Sequence, residues 1–283
     1  MSSNKEIAIV TDSTADIPEC LVHDFEINVV PNVMIIDGKS VEDGLGFTRE
    51  QFYSSLPEMK PIPTTSTPAT GTFEQLYAKL LAHGKSQIVS VHAASALSGI
   101  YNSARLAASR FRGQIHVLDS EQLSLGLGFQ VLAAAEAAST GASLERILEV
   151  LQYVRLRARV IAMLDTLEYV RRSGRVSWAR ARLGNLLSIK PFVEVRNGKV
   201  MSIGETRTRR KGIDRLKELL LNLGPLEKLA ILHTNAESDA REFLDDLNHY
   251  IVLPAQPMVV NITTIIGVYT GPNGLGFAAI LKQ

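Results

Sequence analysis

The stretch QIVSVHAASALSGIYNSARLAASRF, residues 87–111, carries the clearest signal of the fold class. Its first part, Gln87–Val91, is rich in β-branched residues and predicts a strand, whereas Tyr101–Phe111 has the periodicity of a helix. Only a short segment of small residues and serines separates the two. A strand that leads directly into a helix is the repeating unit of a parallel sheet with crossover helices. The stretch therefore predicts an α/β fold.

The same alternation extends on both sides of this stretch. Further strands are predicted at Glu6–Val10, Ile27–Ile36 and Gln114–Leu118. Thr72 with Gln75 three residues later resembles a capping box that starts a helix, and Ser143 precedes an apolar stripe of helical spacing. We therefore expect a parallel-sheet N-terminal lobe over residues 6–159 with crossover helices.

The pattern changes from Val160 onward. Phe192–Ile203 alternates around Asn197-Gly198, which is a strong hairpin signal. Helices are expected around Glu168 and Leu186. These features predict a second lobe of mixed α/β structure over residues 160–283.

Composition narrows the classes of function. The 283 residues are 46% hydrophobic and 21% charged, which is enough for folded cores. A formal net charge of +1 gives no global attraction to nucleic acid. The single cysteine, Cys20, cannot form an internal disulfide, and the polar N-terminus resembles no signal peptide, so we expect a cytoplasmic protein. The scattered histidines predict no metal site.

Two hydroxyl-bearing segments are candidates for binding an anion. The first, Thr64–Ala69, contains three threonines and a serine just before a predicted helix, where hydroxyls and backbone amides suit a carboxylate or phosphate. Spacing alone favours a simpler interpretation, in which these residues only cap the helix.

The second segment, Ser95–Gly99, follows the strand Gln87–Val91 and precedes a helix. Ligands of open α/β sheets bind at this end of the strands, although a helix cap is an equally good interpretation. Two such segments in one half of the chain favour a shared anion site. His92, at the end of the strand, is better explained as a packed histidine than as part of that site.

Several motifs occur in an order that resembles the DegV family, and the match extends from about residue 6 to residue 281. Their positions in this sequence are Val10–Asp16, Thr65–Pro68, Leu97–Ala104, Asp119-Ser120, Gly126–Gly128, Gly174–Ser177, Lys190-Pro191 and Thr270-Gly271.

The resemblance implies that a long-chain, palmitate-like fatty acid lies in a tunnel between or within the lobes. Its carboxylate would be held by Thr65 and Ser98, assisted by Ser66 and the backbone at Gly99. A family histidine falls on Tyr269, which can donate a hydrogen bond but cannot become positively charged. No metal or cofactor is implied.

The resemblance further implies a bacterial protein that is not itself an enzyme. It would present the bound acid to the catalytic subunit of a fatty acid kinase, and the acyl-phosphate product would pass to an acyltransferase for phospholipid synthesis. Arg175 and Arg207 are the candidate contacts for the kinase or the phosphate. Peripheral membrane contact is left open.

Two other classes of function remain. One is a small-molecule phosphotransferase or hydrolase that uses Asp12 and Ser98 in a cleft between lobes, although Thr14 replaces the second aspartate that a dehalogenase-type phosphatase needs. The other is a nucleic-acid-binding regulator that uses the arginines between Arg155 and Arg182. That alternative predicts binding with a steep dependence on salt.

Overall fold

The computed structural model describes residues 6–181 and 189–282. The strands, in chain order, are β1 Ile7–Asp12, β2 Asn28–Val30, β3 Val33–Ile36, β4 Lys39–Glu42, β5 Thr64–Ser66, β6 Gln87–His92, β7 Ile115–Asp119, β8 Ala158–Met163, β9 Lys190–Arg196, β10 Lys199–Thr206, β11 Leu226–His233, β12 Met258–Asn261 and β13 Leu275–Leu281.

The helices are α1 Glu19–Asp24, α2 Arg49–Ser55, α3 Thr70–Ala82, α4 Ile100–Ala108, α5 Leu125–Ser139, α6 Leu144–Arg157, α7 Glu168–Ser173, α8 Ser177–Ala181, α9 Arg209–Leu221, α10 Glu237–Leu247 and α11 Thr264–Thr270. The helix expected around Leu186, together with Arg182, lies outside the described residues.

The chain divides into two compact units. Unit 1 contains the described residues up to Val33, together with Ser66–Leu156 and Asn197–Lys199. Unit 2 contains Met34–Thr65, Arg157–Arg196 and the described residues from Val200 onward. The sequence predicted one lobe over residues 6–159 and a second over 160–283, whereas residues 34–65 and 157–159 belong to unit 2 and residues 197–199 belong to unit 1.

Unit 1 is built on a four-stranded sheet in the order β2-β1-β6-β7, and its described strand pairs are all parallel. The predicted parallel-sheet α/β fold is therefore confirmed. Helices α3, α4, α5 and α6 contribute to one apolar core with the strands. Helix α5 is apolar nearly all round, and ten of its residues are buried. The loop after β7 also contacts Asn197–Lys199, where the amide of Gly198 donates to the Glu121 carbonyl over 3.1 Å.

Unit 2 contains a six-stranded mixed sheet in the order β10-β9-β8-β13-β11-β12. Only β11 and β12 among its described pairs run parallel, whereas β8, β9, β11 and β13 pair antiparallel. Consecutive residues of a strand face opposite sides, and Phe192 and Val193 accordingly belong to two separate apolar clusters. The expected mixed α/β organisation is confirmed.

Segment 34–65 belongs with unit 2 because its polar groups bond to the region around α11. The Tyr53 hydroxyl lies 3.1 Å from the Ile262 carbonyl oxygen, to which it donates. Asp43 accepts hydrogen bonds from the hydroxyls of Thr263 and Thr264 over 2.5 and 2.9 Å. The same segment forms a small sheet in the order β4-β3-β5.

Three local predictions need correction. The single strand expected at Ile27–Ile36 is two strands, β2 and β3, because Pro31 lacks the amide hydrogen that a continuous ladder needs. Residues Thr64–Ser66, expected in a loop, form strand β5 beside β3. The capping box at Thr72 is absent, since α3 begins at Thr70 after Ala69, which provides no side-chain cap.

Candidate functional site

In unit 2, the structure brings Thr65 and Tyr269 together. The Thr65 hydroxyl, on β5, is hydrogen-bonded to the phenol oxygen of Tyr269, on α11, and either group can be the donor. Two hydroxyls that share one hydrogen bond keep one hydrogen for a further acceptor. No local sequence signal relates these residues, which are 204 positions apart.

Helix α11 is fixed at both ends. Thr263 caps it by accepting from the Ile265 amide over 3.3 Å, while Asp43 holds the hydroxyl of Thr263. At the other end, Gly271 has a φ of +74°, and a Cβ there would lie 2.3 Å from the Tyr169 ring. The helix therefore presents Tyr269 from a firmly held position.

A cation lies on the ring of Tyr269. The guanidinium carbon of Arg175 is 4.2 Å from the ring centroid. Arg175 follows Gly174, which ends α7 in the left-handed conformation at φ +68°. Such a contact contributes about 0.5–1 kcal/mol at exposed sites. It places positive charge beside a phenol that cannot itself become cationic.

In unit 1, Ser98 lies in the turn between β6 and α4. The turn is tight, because the amides of Leu97 and Ser98 both donate to the Ala94 carbonyl, over 2.9 and 3.0 Å. The Ser98 oxygen accepts from the Ile100 amide over 3.3 Å. Among residues 6–181 and 189–282, its hydroxyl hydrogen has no acceptor within hydrogen-bond distance. The half-buried Ser98 hydroxyl can therefore donate to a ligand.

The other predicted residues of unit 1 lie near this turn. A Cβ on Gly99 would lie 3.5 Å from the Thr67 methyl carbon, so the segment after Ser66 is in van der Waals range of the Ser98 turn. Ser66 is exposed, and its hydroxyl makes a long bond of 3.4 Å to the Thr67 carbonyl. Because Ala69 gives α3 no side-chain cap, the interpretation of the first segment as a helix cap is wrong.

The predicted arginines differ in their surroundings. Arg207 is exposed in the turn between β10 and α9, just before the N-cap Thr208. Arg172 is paired with Glu168 one helical turn away, and Arg155 lies 3.4 Å from Glu121. Arg155 and Arg172 therefore take part in ordinary surface ion pairs.

Asp12, the residue required by the hydrolase alternative, is fully buried. Both of its carboxylate oxygens accept hydrogen bonds from protein groups, including the Asn32 amide at 3.1 Å and His92 at 3.0 Å. His92 is also fully buried, which confirms its interpretation as a packed histidine. The carboxylate of Asp12 is therefore not offered to a substrate.

No helix within 6–181 and 189–282 is long and apolar enough to cross a membrane. In that part of the chain, no group of three or more histidine, cysteine, aspartate or glutamate side chains could hold a metal ion.

These features define a two-unit α/β protein with hydroxyl groups positioned at strand and helix ends. The model of the DegV family, described as "Uncharacterised protein, DegV family", matches residues 6–282. A DegV domain-containing protein of Deinococcus radiodurans is 34% identical over 280 residues, which cover 96% of this chain and 97% of the relative.

Solved structures agree with the family match. A DegV family protein from Thermus thermophilus, described with fatty acid binding, is 30% identical with a TM-score of 0.90, covering 98% of this chain and 100% of that chain. DegV of Bacillus subtilis, described as a fatty acid binding protein, is 30% identical with a TM-score of 0.85, covering 98% and 99%. The chain belongs to the DegV family.

Proposed function

We propose that this protein binds a long-chain fatty acid. The observation that carries the proposal is the likeness over 98% of the chain to two DegV proteins described as binding fatty acids. An acyl tail removed from water contributes about 0.8 kcal/mol per methylene, which is on the order of 10 kcal/mol for a palmitate-like chain before association costs. The carboxylate must then be hydrogen-bonded, because an unpaired buried charge is costly.

In this proposal, Thr65 and Ser98 hold the carboxylate, assisted by Ser66 and the backbone of Gly99. The geometry within each unit supports the assignment. Ser98 has an uncommitted hydroxyl hydrogen, and the Thr65–Tyr269 pair keeps one hydrogen for a further acceptor. Neutral donors suit a buried acid because they need little desolvation of their own.

Tyr269 completes the head-group site. Its phenol donates to the Thr65 hydroxyl, which leaves the Thr65 hydrogen for the carboxylate, and the Arg175 guanidinium on its ring supplies the positive charge that the phenol lacks. The acid is therefore met by a polarised hydroxyl and is not in direct contact with a buried cation.

The protein then presents the acid to a separate kinase. The kinase transfers the γ-phosphoryl group of ATP to a carboxylate oxygen, which yields ADP and an acyl-phosphate for a downstream acyltransferase in phospholipid synthesis. Arg175 and Arg207, both exposed, are suited to the kinase surface or the new phosphate, because guanidinium groups match phosphate oxygens.

The test is mass spectrometry of lipids extracted from the purified protein. We expect one fatty acid per chain in the wild type and its loss in the Thr65→Ala/Ser98→Ala variant. Losing two hydrogen bonds to a charged group weakens affinity by roughly 100-fold. Thr72→Ala is the matched control, since Thr72 carries an exposed hydroxyl on α3 and lies outside both hydroxyl-bearing segments.

Retention of stoichiometric fatty acid by the double variant would contradict the assignment of these hydroxyls. Absence of fatty acid from the wild type would contradict the proposed function itself. ATP turnover by the purified chain alone would support the phosphotransferase alternative.

A further inference from the structure

A chain of four buried polar side chains runs through unit 1. Asp12, His92, Ser90 and Tyr77 are each fully buried. Asp12 Oδ2 lies 3.0 Å from His92 Nδ1, His92 Nε2 lies 2.7 Å from Ser90 Oγ, and Ser90 Oγ lies 2.8 Å from the Tyr77 hydroxyl. Nothing in the proposed binding of a fatty acid uses this network directly.

One direction of hydrogen bonding gives every hydrogen in the chain an acceptor. Tyr77 donates to Ser90, Ser90 donates to His92 Nε2, and the Nδ1 hydrogen of His92 points to Asp12. In the reverse direction the Tyr77 hydrogen would have no acceptor among the described residues, which is costly for a buried group. Burial raises the pKa of Tyr77 to about 12, so its phenol keeps that hydrogen.

The network ends on an ionised aspartate. Burial opposes ionisation of Asp12, but the hydrogen bonds from His92, Thr14 and Ala93 outweigh it and lower the pKa of the carboxyl. The Oδ1 atom accepts from the Thr14 amide and hydroxyl and from Asn32, while Oδ2 accepts from His92 and the Ala93 amide. Such a fully bonded carboxylate fixes the positions of its donors.

One of those donors begins the turn that carries Ser98. The Ala93 amide lies 3.2 Å from Asp12 Oδ2. The next residue, Ala94, donates its amide to the Gln122 carbonyl over 3.0 Å. The Ala94 carbonyl in turn accepts from the amide of Ser98 over 3.0 Å. A shift at Ala93 is therefore passed through Ala94 to Ser98.

We infer that Asp12 is a positioning residue for the Ser98 hydroxyl, and that it acts through Ala93 and the turn built on Ala94. This inference rests on the proposed role of Ser98 in binding a carboxylate. The ligand property that Asp12 controls is therefore the preference for an acid group, whereas affinity for the apolar tail does not depend on it.

The test compares palmitic acid with hexadecan-1-ol, which has the same tail without the carboxylate. Both are measured on delipidated protein by displacement of a fluorescent fatty acid. Asp12→Asn replaces one carboxylate oxygen by an NH2 donor group, so the hydrogen bonds that this oxygen accepted are lost. We expect the affinity for palmitic acid to fall roughly tenfold, which corresponds to one weakened bond to a charged group, with little change for the alcohol.

Two further variants separate positioning from general loosening of the fold. Tyr77→Phe removes the far hydroxyl but leaves the bond between Asp12 and Ala93, so we expect lower stability with an unchanged preference for the acid. Thr14→Val removes a single donor to Asp12 Oδ1. We expect it to shift the preference in the same direction as Asp12→Asn but less, and it carries the test if Asp12→Asn does not fold.

Equal weakening of both ligands by Asp12→Asn would overturn the inference, because that is the result of a purely structural role. Wild-type affinity for palmitic acid in both Asp12→Asn and Thr14→Val would overturn it as well. A wild type that binds acid and alcohol equally would instead overturn the proposed carboxylate site, and this inference with it.

Discussion

Gly267 lies in α11 where a side chain has no room. A Cβ there would lie 2.5 Å from the Tyr53 hydroxyl oxygen and 2.6 and 2.7 Å from two ring carbons. Tyr53 is 1% exposed, and its hydroxyl donates to the Ile262 carbonyl over 3.1 Å. The ring therefore cannot retreat without losing that bond and disturbing its neighbours.

The cost of Gly267→Ala follows from three contributions. Forcing a methyl group into a filled core costs about 1–3 kcal/mol. Displacing the Tyr53 hydroxyl from its carbonyl adds about 1 kcal/mol. Replacing glycine by alanine inside a helix returns up to about 1 kcal/mol. We expect a net loss of about 1–3 kcal/mol in the free energy of unfolding.

Urea unfolding followed by fluorescence measures this loss in unit 2. The only tryptophan of the chain, Trp178, belongs to that unit, and its indole donates to the Val200 carbonyl over 3.0 Å. The midpoint should fall while the slope stays constant. In a Tyr53→Leu background the ring is gone, so Gly267→Ala should cost much less.

Equal stability of Gly267→Ala and the wild type would refute the packing argument. So would an undiminished cost in the Tyr53→Leu background, because the clash with the ring would then not be the cause.

The remaining predictions concern other packing sites and pH. Gly71→Ala, in α3, adds a Cβ that would meet nothing within 4 Å and should stabilise unit 1 by up to about 1 kcal/mol. Gly128→Ala adds a Cβ that would lie 2.4 Å from the Ala15 carbonyl oxygen and should destabilise unit 1 by about 1–3 kcal/mol. Unfolding followed by far-UV circular dichroism compares the two variants, and equal effects on stability would contradict this packing argument. Burial lowers the pKa of His233 below 6.5, so the unfolded chain binds a proton that the folded chain does not, and stability should fall as pH decreases below 6.5. His233→Gln should flatten this dependence on the acid side of pH 6.5, and an unchanged slope would argue against it.

Local patterns predicted much of the fold. The strands β1, β6 and β7 were expected within two residues of their observed ends, because β-branched runs bounded by turns are a local signal. The Asn197-Gly198 pair also predicted the hairpin of β9 and β10. In the structure both residues have the positive φ that such a turn requires, +49° and +72°.

Contacts between distant residues could not be predicted. Helix α5 has no polar face, so it lacks the periodicity that identifies a helix. No local pattern in residues 34–65 predicts that Asp43 and Tyr53 form hydrogen bonds with residues more than 200 positions later. The contacts of the site could not be predicted either. Motif order indicated Thr65, Arg175 and Tyr269 one by one, but only the structure shows that Arg175 stacks on the ring of Tyr269.

The discontinuous make-up of the two units governs how the protein can be dissected. The chain passes from one unit to the other after residues 33, 65, 156, 196 and 199. A fragment cut at residue 159 would retain Tyr53 but discard Ile262, its hydrogen-bond acceptor. Swapping one unit between relatives would therefore require transplanting three separate pieces of polypeptide together.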